Sequence, residues 1–230
     1  ADANYLSPNR IWINRAPSVQ LSVDVNTGSE AAGTVITVTA TTDAPVIGDQ
    51  MVDLDVSGTG ISAGDYVLGT SQLTIADGTA SASTTFTVLD DNVYEGEETA
   101  ALSIIAAAPN LIIGTASSQS ITLVDDDPLP MVTAMSFSAA TFDETGGPIT
   151  LNLNLDRPSA FALCYEISLA GSAGLGSDYS VSDDDAAAGI QACASAGATS
   201  AQLTVTPIDD TIFERPESIG ASSGSASANT

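Results

Sequence analysis

Hydrophobic and polar residues alternate along most of the chain with a period of two, as expected for β-strands with one buried face. The alternating runs are rich in Val, Ile and Thr, and turn-forming Gly, Asp, Ser or Pro residues separate them. No convincing amphipathic helix occurs among them. The pattern predicts an all-β chain of antiparallel sandwiches. The clearest predicted strands are Val19–Val25, Gly33–Thr41, Met51–Val56, Gln72–Ile75, Ser83–Leu89, Glu98–Ile105, Gln119–Val124, Val132–Phe137, Ile149–Leu155, Leu163–Leu169 and Ala201–Ile208.

The 230 residues are enough for two β-sandwich domains of about 100 residues each. The strand pattern restarts after Pro128-Leu129-Pro130, which indicates a domain boundary there. We therefore predict an N-terminal arm (residues 1–16), a first domain (17–128) and a second domain (129–230). No apolar stretch is long enough to cross a membrane, and the start Ala1-Asp2-Ala3 is typical of a chain after signal-peptide cleavage. We expect a secreted protein, extracellular or at the cell surface.

The chain is strongly acidic, with 29 Asp and Glu residues against four Arg and no Lys, and its formal net charge is −25. This charge excludes the basic footprint that nucleic-acid binding requires, and it opposes docking on anionic membranes. The absence of His removes His-based triads and His metal ligands. Paired carboxylates can catalyse glycoside cleavage, but the aromatic residues that bind sugars make up only 5% of the chain. We predict that the protein is not an enzyme.

Acidic motifs recur in the chain at a spacing of about 115 residues, which indicates an internal repeat. The sequence GDY at residues 64–66 returns as SDY at 177–179. A longer element, DDNVYEGEE at 90–98, returns as DDTIFERPE at 209–217. Solvation of loops alone does not explain why carboxylates and aromatic residues keep the same order in both copies.

These motifs resemble the Calx-beta family, which is known from the regulatory region of sodium–calcium exchangers and from bacterial surface proteins. The first copy carries the family's three motifs in order, at residues 64–66, 90–98 and, as ITLVDDD, at 121–127. The second copy lacks the last of these motifs. The resemblance implies two tandem Greek-key, Ig-like antiparallel β-sandwiches whose loops at one end bind Ca²⁺, the second sandwich lacking its own closing strand.

The resemblance also implies a set of metal ligands at the loop end of each domain. In the first domain the matching residues are Glu30, Asp65, Asp90, Asp91, Glu95, Glu98, Asp125, Asp126 and Asp127, with Val93 contributing a backbone carbonyl. In the second domain they are Glu144, Asp178, Asp209, Asp210, Glu214 and Glu217.

Carboxylates gathered in this way repel one another, by about 4 kcal/mol for a pair about 4 Å apart at an effective dielectric of about 20, unless a cation neutralises them. Oxygen ligands without His or Cys favour Ca²⁺, with Mg²⁺ second. The second set is the weaker candidate, because it lacks the Asp triplet and has Arg215-Pro216 where the first has Gly96-Glu97. We predict that another acidic run, Asp183-Asp184-Asp185, is a solvated turn outside the site.

The two cysteines, Cys164 and Cys193, both lie in the second domain. Their wide spacing and the lack of further thiol or imidazole partners are untypical of a metal site. A disulfide is the simplest interpretation for a secreted chain. Two buried free thiols are the alternative.

The two ends of the chain suggest self-assembly. The residues after Glu217 are too few to supply the closing strand of the second sandwich. The arm carries Ile11, Trp12 and Ile13, an alternation similar to that of the closing strand of the first copy, 120–124. We predict that the arm of one subunit completes the second sandwich of its neighbour, head to tail, and so builds a homopolymer.

In this hypothesis Ile11 and Ile13 point into the open sandwich and Trp12 faces outward. Arg15 would lie near Asp209, Asp210, Glu214 and Glu217 and would replace the charge of Ca²⁺ there. Three alternatives stay open: the arm packs on its own first domain, the sequence is truncated, or the chain is a Ca²⁺-binding spacer of an adhesin. Other surface proteins or glycans are further candidate partners.

Overall fold

The computed structural model of the chain describes residues 15–182, 184–185, 189–212 and 215–228. All of the regular secondary structure in these residues is β-strand, which confirms the predicted all-β class. No helix long and apolar enough to span a membrane occurs in the part of the chain described. The described residues form two compact units: one within 15–89 and 98–123, the other within 90–97 and 124–228.

The first unit is a sandwich of two five-stranded sheets, in the orders β5-β7-β3-β1-β9 and β2-β10-β8-β4-β6. Its strands are β1 (Ser18–Val23), β2 (Thr27–Ser29), β3 (Val35–Thr42), β4 (Gln50–Thr59), β5 (Tyr66–Leu68), β6 (Gln72–Ile75), β7 (Ser81–Val88), β8 (Glu98–Ala107), β9 (Ile112–Ile113) and β10 (Ser118–Val124). The alternation that predicted these strands also builds the core. In β3, for example, Ile36, Val38 and Ala40 face inward and the residues between them do not.

A closing segment, residues 111–124, completes the first sandwich by pairing with both sheets. Its first part, β9, runs parallel to β1, and its second part, β10, runs antiparallel to β8. Ile121 lies opposite Ala100, and Leu123 lies opposite Glu98. Because Ile121 and Leu123 are 0% exposed, this strand is part of the core rather than an addition to its edge.

The second unit contains two four-stranded sheets, in the orders β11-β12-β17-β14 and β15-β16-β13-β18. Its strands are β11 (Val132–Phe137), β12 (Ile149–Leu155), β13 (Leu163–Gly171), β14 (Tyr179–Val181), β15 (Asp184–Asp185), β16 (Gly189–Ala194), β17 (Ser200–Pro207) and β18 (Ile219–Ala228). Strands β13 and β18 pair over most of their lengths, as β4 and β8 do in the first unit.

Strand β18 is the counterpart of β8, and it forms the edge of its sheet. In the first unit β10 covers the outer side of β8, whereas no strand among the described residues covers the outer side of β18. Within the described residues, the second sandwich therefore has no closing strand, as the sequence predicted. The sequence of β18, IGASSGSASA, does not predict a strand, because its small residues have low β-propensity. The strand forms because pairing with β13 overrides that propensity.

The acidic run after Tyr179 differs from the prediction. Asp184 and Asp185 form β15 and pair with Ile190 and Gly189 of β16, so assigning them to a turn was wrong. The cross-strand hydrogen bonds of this pair outweigh the turn preference of Asp, which comes from side-chain bonds to its own backbone. Asp183 lies outside the described residues.

The predicted disulfide between Cys164 and Cys193 is confirmed, with an S–S distance of 1.98 Å. The two cysteines face each other across β13 and β16, at directly paired positions. Cys164 is buried and Cys193 is exposed. The bond therefore staples the sheet that carries the open edge β18.

We expect replacement of both cysteines, Cys164→Ala with Cys193→Ala, to lower the free energy of unfolding of the second unit by about 3–4 kcal/mol, because the bond closes a loop of about 29 residues in the unfolded chain. Urea denaturation measures the change. A reductant should destabilise the native chain and leave the double variant unchanged. A double variant as stable as the native chain would contradict this role.

Candidate metal centre

Glu30, Asp65 and Glu98 lie at one end of the first unit, where the strands that precede or follow them begin or end. Asp65 stands just before β5, and its carbonyl accepts a hydrogen bond from the Leu89 amide at the end of β7. Glu30 follows β2, in the turn that leads into β3, and Glu98 begins β8. The acidic residues of the repeated motifs thus lie at one end of the sandwich.

These three carboxylates are buried, which is rare for charged residues. Glu30, Asp65 and Glu98 are 2%, 4% and 3% exposed. Burying an ionised carboxylate costs roughly several kcal/mol unless a positive charge and hydrogen bonds compensate for the lost hydration. The whole chain has only four Arg, so it has little positive charge of its own for such compensation.

The surroundings of Asp65 and Glu98 hold both side chains in place. Asp65 accepts hydrogen bonds from the Ser62 amide and, at 3.1 Å, from the Ser62 hydroxyl. A Cβ atom at Gly60 would lie only 2.8 Å from the Glu98 Oε1 atom, and Gly60 has a φ of +82°. The left-handed backbone favours glycine at this position, and a side chain there would displace the Glu98 carboxylate.

Among the described residues, Asp65, Glu95 and Glu98 each place one carboxylate oxygen within 4.8 Å of the others. Calcium–oxygen bonds are about 2.3–2.6 Å long, so oxygens bound to one ion lie within about 5 Å of one another. The spacing and the purely oxygen donor set therefore fit a Ca²⁺ ion. The sequence predicted all three residues as ligands.

Asp125 orders the acidic loop that runs from residue 90 to 97. Its Oδ2 atom accepts hydrogen bonds from the amides of Glu95 and Gly96, at 2.8 and 2.7 Å. Its Oδ1 atom accepts a bond from the Asp127 amide at 2.8 Å. The sequence predicted Asp125 as a ligand, and the structure adds this positioning role, which follows from its place directly after β10.

The remaining predicted ligands of the first set lie at different depths. Asp90, Asp91 and Asp126 are exposed, and the Asp91 Oδ1 atom accepts a hydrogen bond from the Val93 amide at 2.7 Å. Asp127 is ion-paired with Arg157 at 2.5 Å, a contact that the sequence analysis missed. Desolvation raises the pKa of Asp127 above its ordinary value, although the charge of Arg157 opposes the shift.

The second set is more open. Glu144 and Asp178 are half-buried and Glu217 is exposed, around a cavity of about 690 Å³. Desolvation, followed by repulsion from Asp178, raises the pKa of Glu217 above its ordinary value. In the first unit Leu123 of β10 lies opposite Glu98, whereas no described strand lies beside Glu217.

The acidic loop of the second unit also differs in its backbone. Asp209 and Asp210 are exposed, and Asp210 Oδ1 accepts a hydrogen bond from the Ile212 amide, as Asp91 does from Val93. Gly96 has a φ of +75°, and no non-glycine residue in the described ranges has a positive φ. Arg215, which stands in the place of Gly96, therefore does not reproduce its turn. Glu214 lies outside the described residues.

Comparison with known proteins gives a family match. The Calx-beta domain profile matches residues 13–127, which is half of the chain. No curated protein matches the sequence.

Several solved structures resemble the chain. The structure of CBD12 from CALX1.2 is 15% identical, with 92% of this chain and 81% of that chain covered and a TM-score of 0.41. The apo form of the Calx CBD1 domain is 18% identical over 47% of this chain and 98% of that one, with a TM-score of 0.39. The adhesin InvE of Yersinia pseudotuberculosis is 12% identical over 82% of this chain and 51% of that one, with a TM-score of 0.40.

We expect Glu98→Gln to weaken Ca²⁺ binding by about tenfold or more, because it removes one charge from the buried group of carboxylates. Isothermal titration calorimetry measures the affinity. Glu97→Gln is the matched control, because Glu97 is the exposed neighbour of Glu98 and should leave the affinity nearly unchanged. A chelator should also lower the melting temperature of the native chain, since an ion at 100 times its dissociation constant adds about 2.7 kcal/mol. Absence of binding heat together with an unchanged melt would overturn the metal centre.

We expect Glu217→Gln to raise the melting temperature at about pH 7 in chelator. Since the pKa of Glu217 is raised in the folded chain, its ionised form costs stability above the ordinary pKa of glutamate. The cost disappears as the pH falls and the carboxyl group is protonated, so the gain should shrink towards about pH 4. Glu166→Gln, at an exposed position of β13, is the control. A gain that does not depend on pH would contradict this explanation.

Proposed function

The chain belongs to the Calx-beta family, and we propose that it is an extracellular, Ca²⁺-stabilised structural subunit. In this proposal the first acidic set binds Ca²⁺, and the subunits assemble head to tail into a surface filament or matrix by donating a strand. The observation that supports assembly is the open edge at β18, which lies next to an unfilled cavity.

The calcium part of the proposal rests on the buried carboxylates. Glu30, Asp65 and Glu98 are enclosed at the end of a strongly acidic sandwich, and Asp65, Glu95 and Glu98 have the oxygen spacing that Ca²⁺ takes. Calcium then offsets a repulsion that otherwise opposes folding. The disulfide supports an oxidising, extracellular setting.

The strand-donation part rests on a comparison of the two sandwiches. In the first unit, Ile121 and Leu123 fill the space beside Glu98 and Ala100. In the second unit the corresponding space, beside β18, is the cavity of about 690 Å³. Its lining combines apolar residues, among them Phe137, Ile149, Tyr179 and Ile219, with several carboxylates, such as Glu144 and Glu217, and one cation, Arg215. An incoming strand would pair with β18 and bury two hydrophobic side chains there.

The arm has the length and the pattern for this role. Residues 1–14, which lie outside the described residues, are as many as the residues of the closing segment 111–124. With Ile11 and Ile13 in the places of Ile121 and Leu123, Arg15 stands where Asp125 does. Arg15 would then meet the acidic cavity with a positive charge and take the part that Ca²⁺ has in the first unit.

The assembly has a direction. The donor segment precedes β1 of the first unit and the acceptor edge belongs to the second unit, so donor and acceptor are different surfaces. Such a contact does not close on itself in the way a two-fold dimer does, and it therefore extends into a fibre.

We expect Ile11→Asp to shift the chain from polymers to free subunits, because it places a charge in an apolar cavity without a partner. Sedimentation and electron microscopy in Ca²⁺ measure the polymer. Asn4→Asp adds the same charge to the arm away from the two isoleucines and should leave assembly intact. Deletion of residues 1–16 should give aggregation-prone subunits that a peptide of residues 5–16 rescues.

Ordinary fibres from the Ile11→Asp variant, or an arm that packs on its own first domain, would refute strand donation. The chain would then fit better as a Ca²⁺-binding spacer of an adhesin or another surface protein. A chelator should also affect the contact between the donated arm and β18 less than it affects the first unit. The reason is that Arg15, rather than Ca²⁺, supplies the positive charge at this contact.

A further inference from the structure

The open edge of the second unit has a second cavity at its other end, and we propose that the side chain of Tyr5 from a second copy of this chain fills it. The inference rests on the proposed strand donation and adds an aromatic anchor to it. Ile11 and Ile13 would occupy the acidic end of β18, and Tyr5 the far end. The partner surface is thus specific for an aromatic residue at a fixed distance from two isoleucines.

The second cavity has a volume of about 580 Å³ and a mostly apolar lining. It lies among Pro128, Pro130, Val132, Tyr165, Gly224 and Ala226. The Tyr165 hydroxyl donates a hydrogen bond to the carbonyl of Pro130 at 3.0 Å, which fixes one wall. Proline rings and an aromatic wall suit a flat ring, and the small residues of β18 give it room.

Small side chains on β18 create this space. At the positions where β8 carries Leu102 and Ile104, β18 carries Ala221 and Ser223. Leu102 and Ile104 are buried core residues of the first unit, whereas Ala221 and Ser223 are smaller and half-buried.

The arm has larger side chains than the closing segment at two matching positions. In the first unit the positions that match Tyr5 and Leu6 are Thr115 and Ala116, which are small and exposed. At this end the closing segment already pairs with β1, through the Gly114 amide and the Val19 carbonyl at 2.8 Å. The arm has the larger residues Tyr5 and Leu6 at these two positions.

The register of pairing selects Tyr5 rather than Leu6. If Ile11 lies opposite Ile219, as Ile121 lies opposite Ala100, then Asn9 lies opposite Ala221. Strand β18 then has one extra residue between Ser223 and Ala226, relative to its partner β13. Two residues further along the arm therefore bring Ser7 to Ser223, and another two bring Tyr5 to Ala226.

The inward face of β18 agrees with this register. Ile219, Ala221, Ser223 and Ala226 are half-buried, and the residues between them are exposed. Because side chains alternate along a strand, Tyr5 shares the face of Ile11 and Ile13. Leu6 points to the opposite side and is the natural control.

Disulfide trapping between full-length chains tests the register. One chain carries Tyr5→Cys and the other carries Ala226→Cys, and the mixture is oxidised in Ca²⁺ and separated without reductant. We expect a covalent dimer, because opposed cysteines on paired strands lie within bonding distance. The native cysteines are already bonded to each other and give no background. The matched control, Leu6→Cys with Ala226→Cys, should give much less dimer.

A second pair separates this inference from the proposed function. Ile11→Cys with Ile219→Cys should crosslink if the arm docks on β18 at all. A dimer from that pair but none from Tyr5→Cys with Ala226→Cys would overturn the aromatic anchor and keep strand donation. No dimer from either pair would overturn both, and would leave another segment or another protein as the occupant of the edge.

An affinity measurement gives an independent test. We expect Tyr5→Ala to raise the concentration needed for polymer formation at least about tenfold, as for truncation of a buried aromatic anchor. Leu6→Ala should change it by less than about threefold. An equal or larger effect of Leu6→Ala would contradict the proposed register.

Discussion

The pairing of a closing strand with the last long strand of its sheet determines the character of both sandwiches. In the first unit β10 lies along β8, so Ile121 and Leu123 complete the core and Glu98 is enclosed. The residue after that strand, Asp125, then holds the acidic loop through two backbone amides. One strand thus closes the core and orders the candidate metal ligands. No described strand plays this part in the second unit, where β18 is an open edge with a cavity near each end and the carboxylates are more exposed.

In our proposal, electrostatics makes the acidic end of the first unit dependent on a cation. A chain with a formal net charge of −25 has few cationic side chains that could neutralise carboxylates buried in a low dielectric. Arg157 is ion-paired with Asp127 and Asp156. The buried group around Glu98 has the oxygen chemistry of Ca²⁺, and in our proposal the arginine of a donated arm serves the second unit. Both solutions bring positive charge from outside the sandwich.

The sequence predicted the parts of the fold that depend on periodic burial and on repeated motifs. Strands such as β3 and β12 alternate strictly, and the repeated motifs located Asp65 and Glu98 at one end. It did not predict β18, since its serines, alanines and glycines form a strand only because β13 pairs with them. Nor did it predict the hydrogen bonds of Asp125 or the ion pair of Arg157, because these contacts depend on how loops distant in sequence meet.

Cryo-electron microscopy of the chain assembled in Ca²⁺ tests the central claim most directly, because it identifies the segment that lies beside β18. The account predicts residues 5–13 of one copy running antiparallel to β18 of the next, with both isoleucines inside and Arg15 at the acidic end. A bare β18 edge, an edge covered by a different segment, or an arm folded onto its own first unit would contradict it.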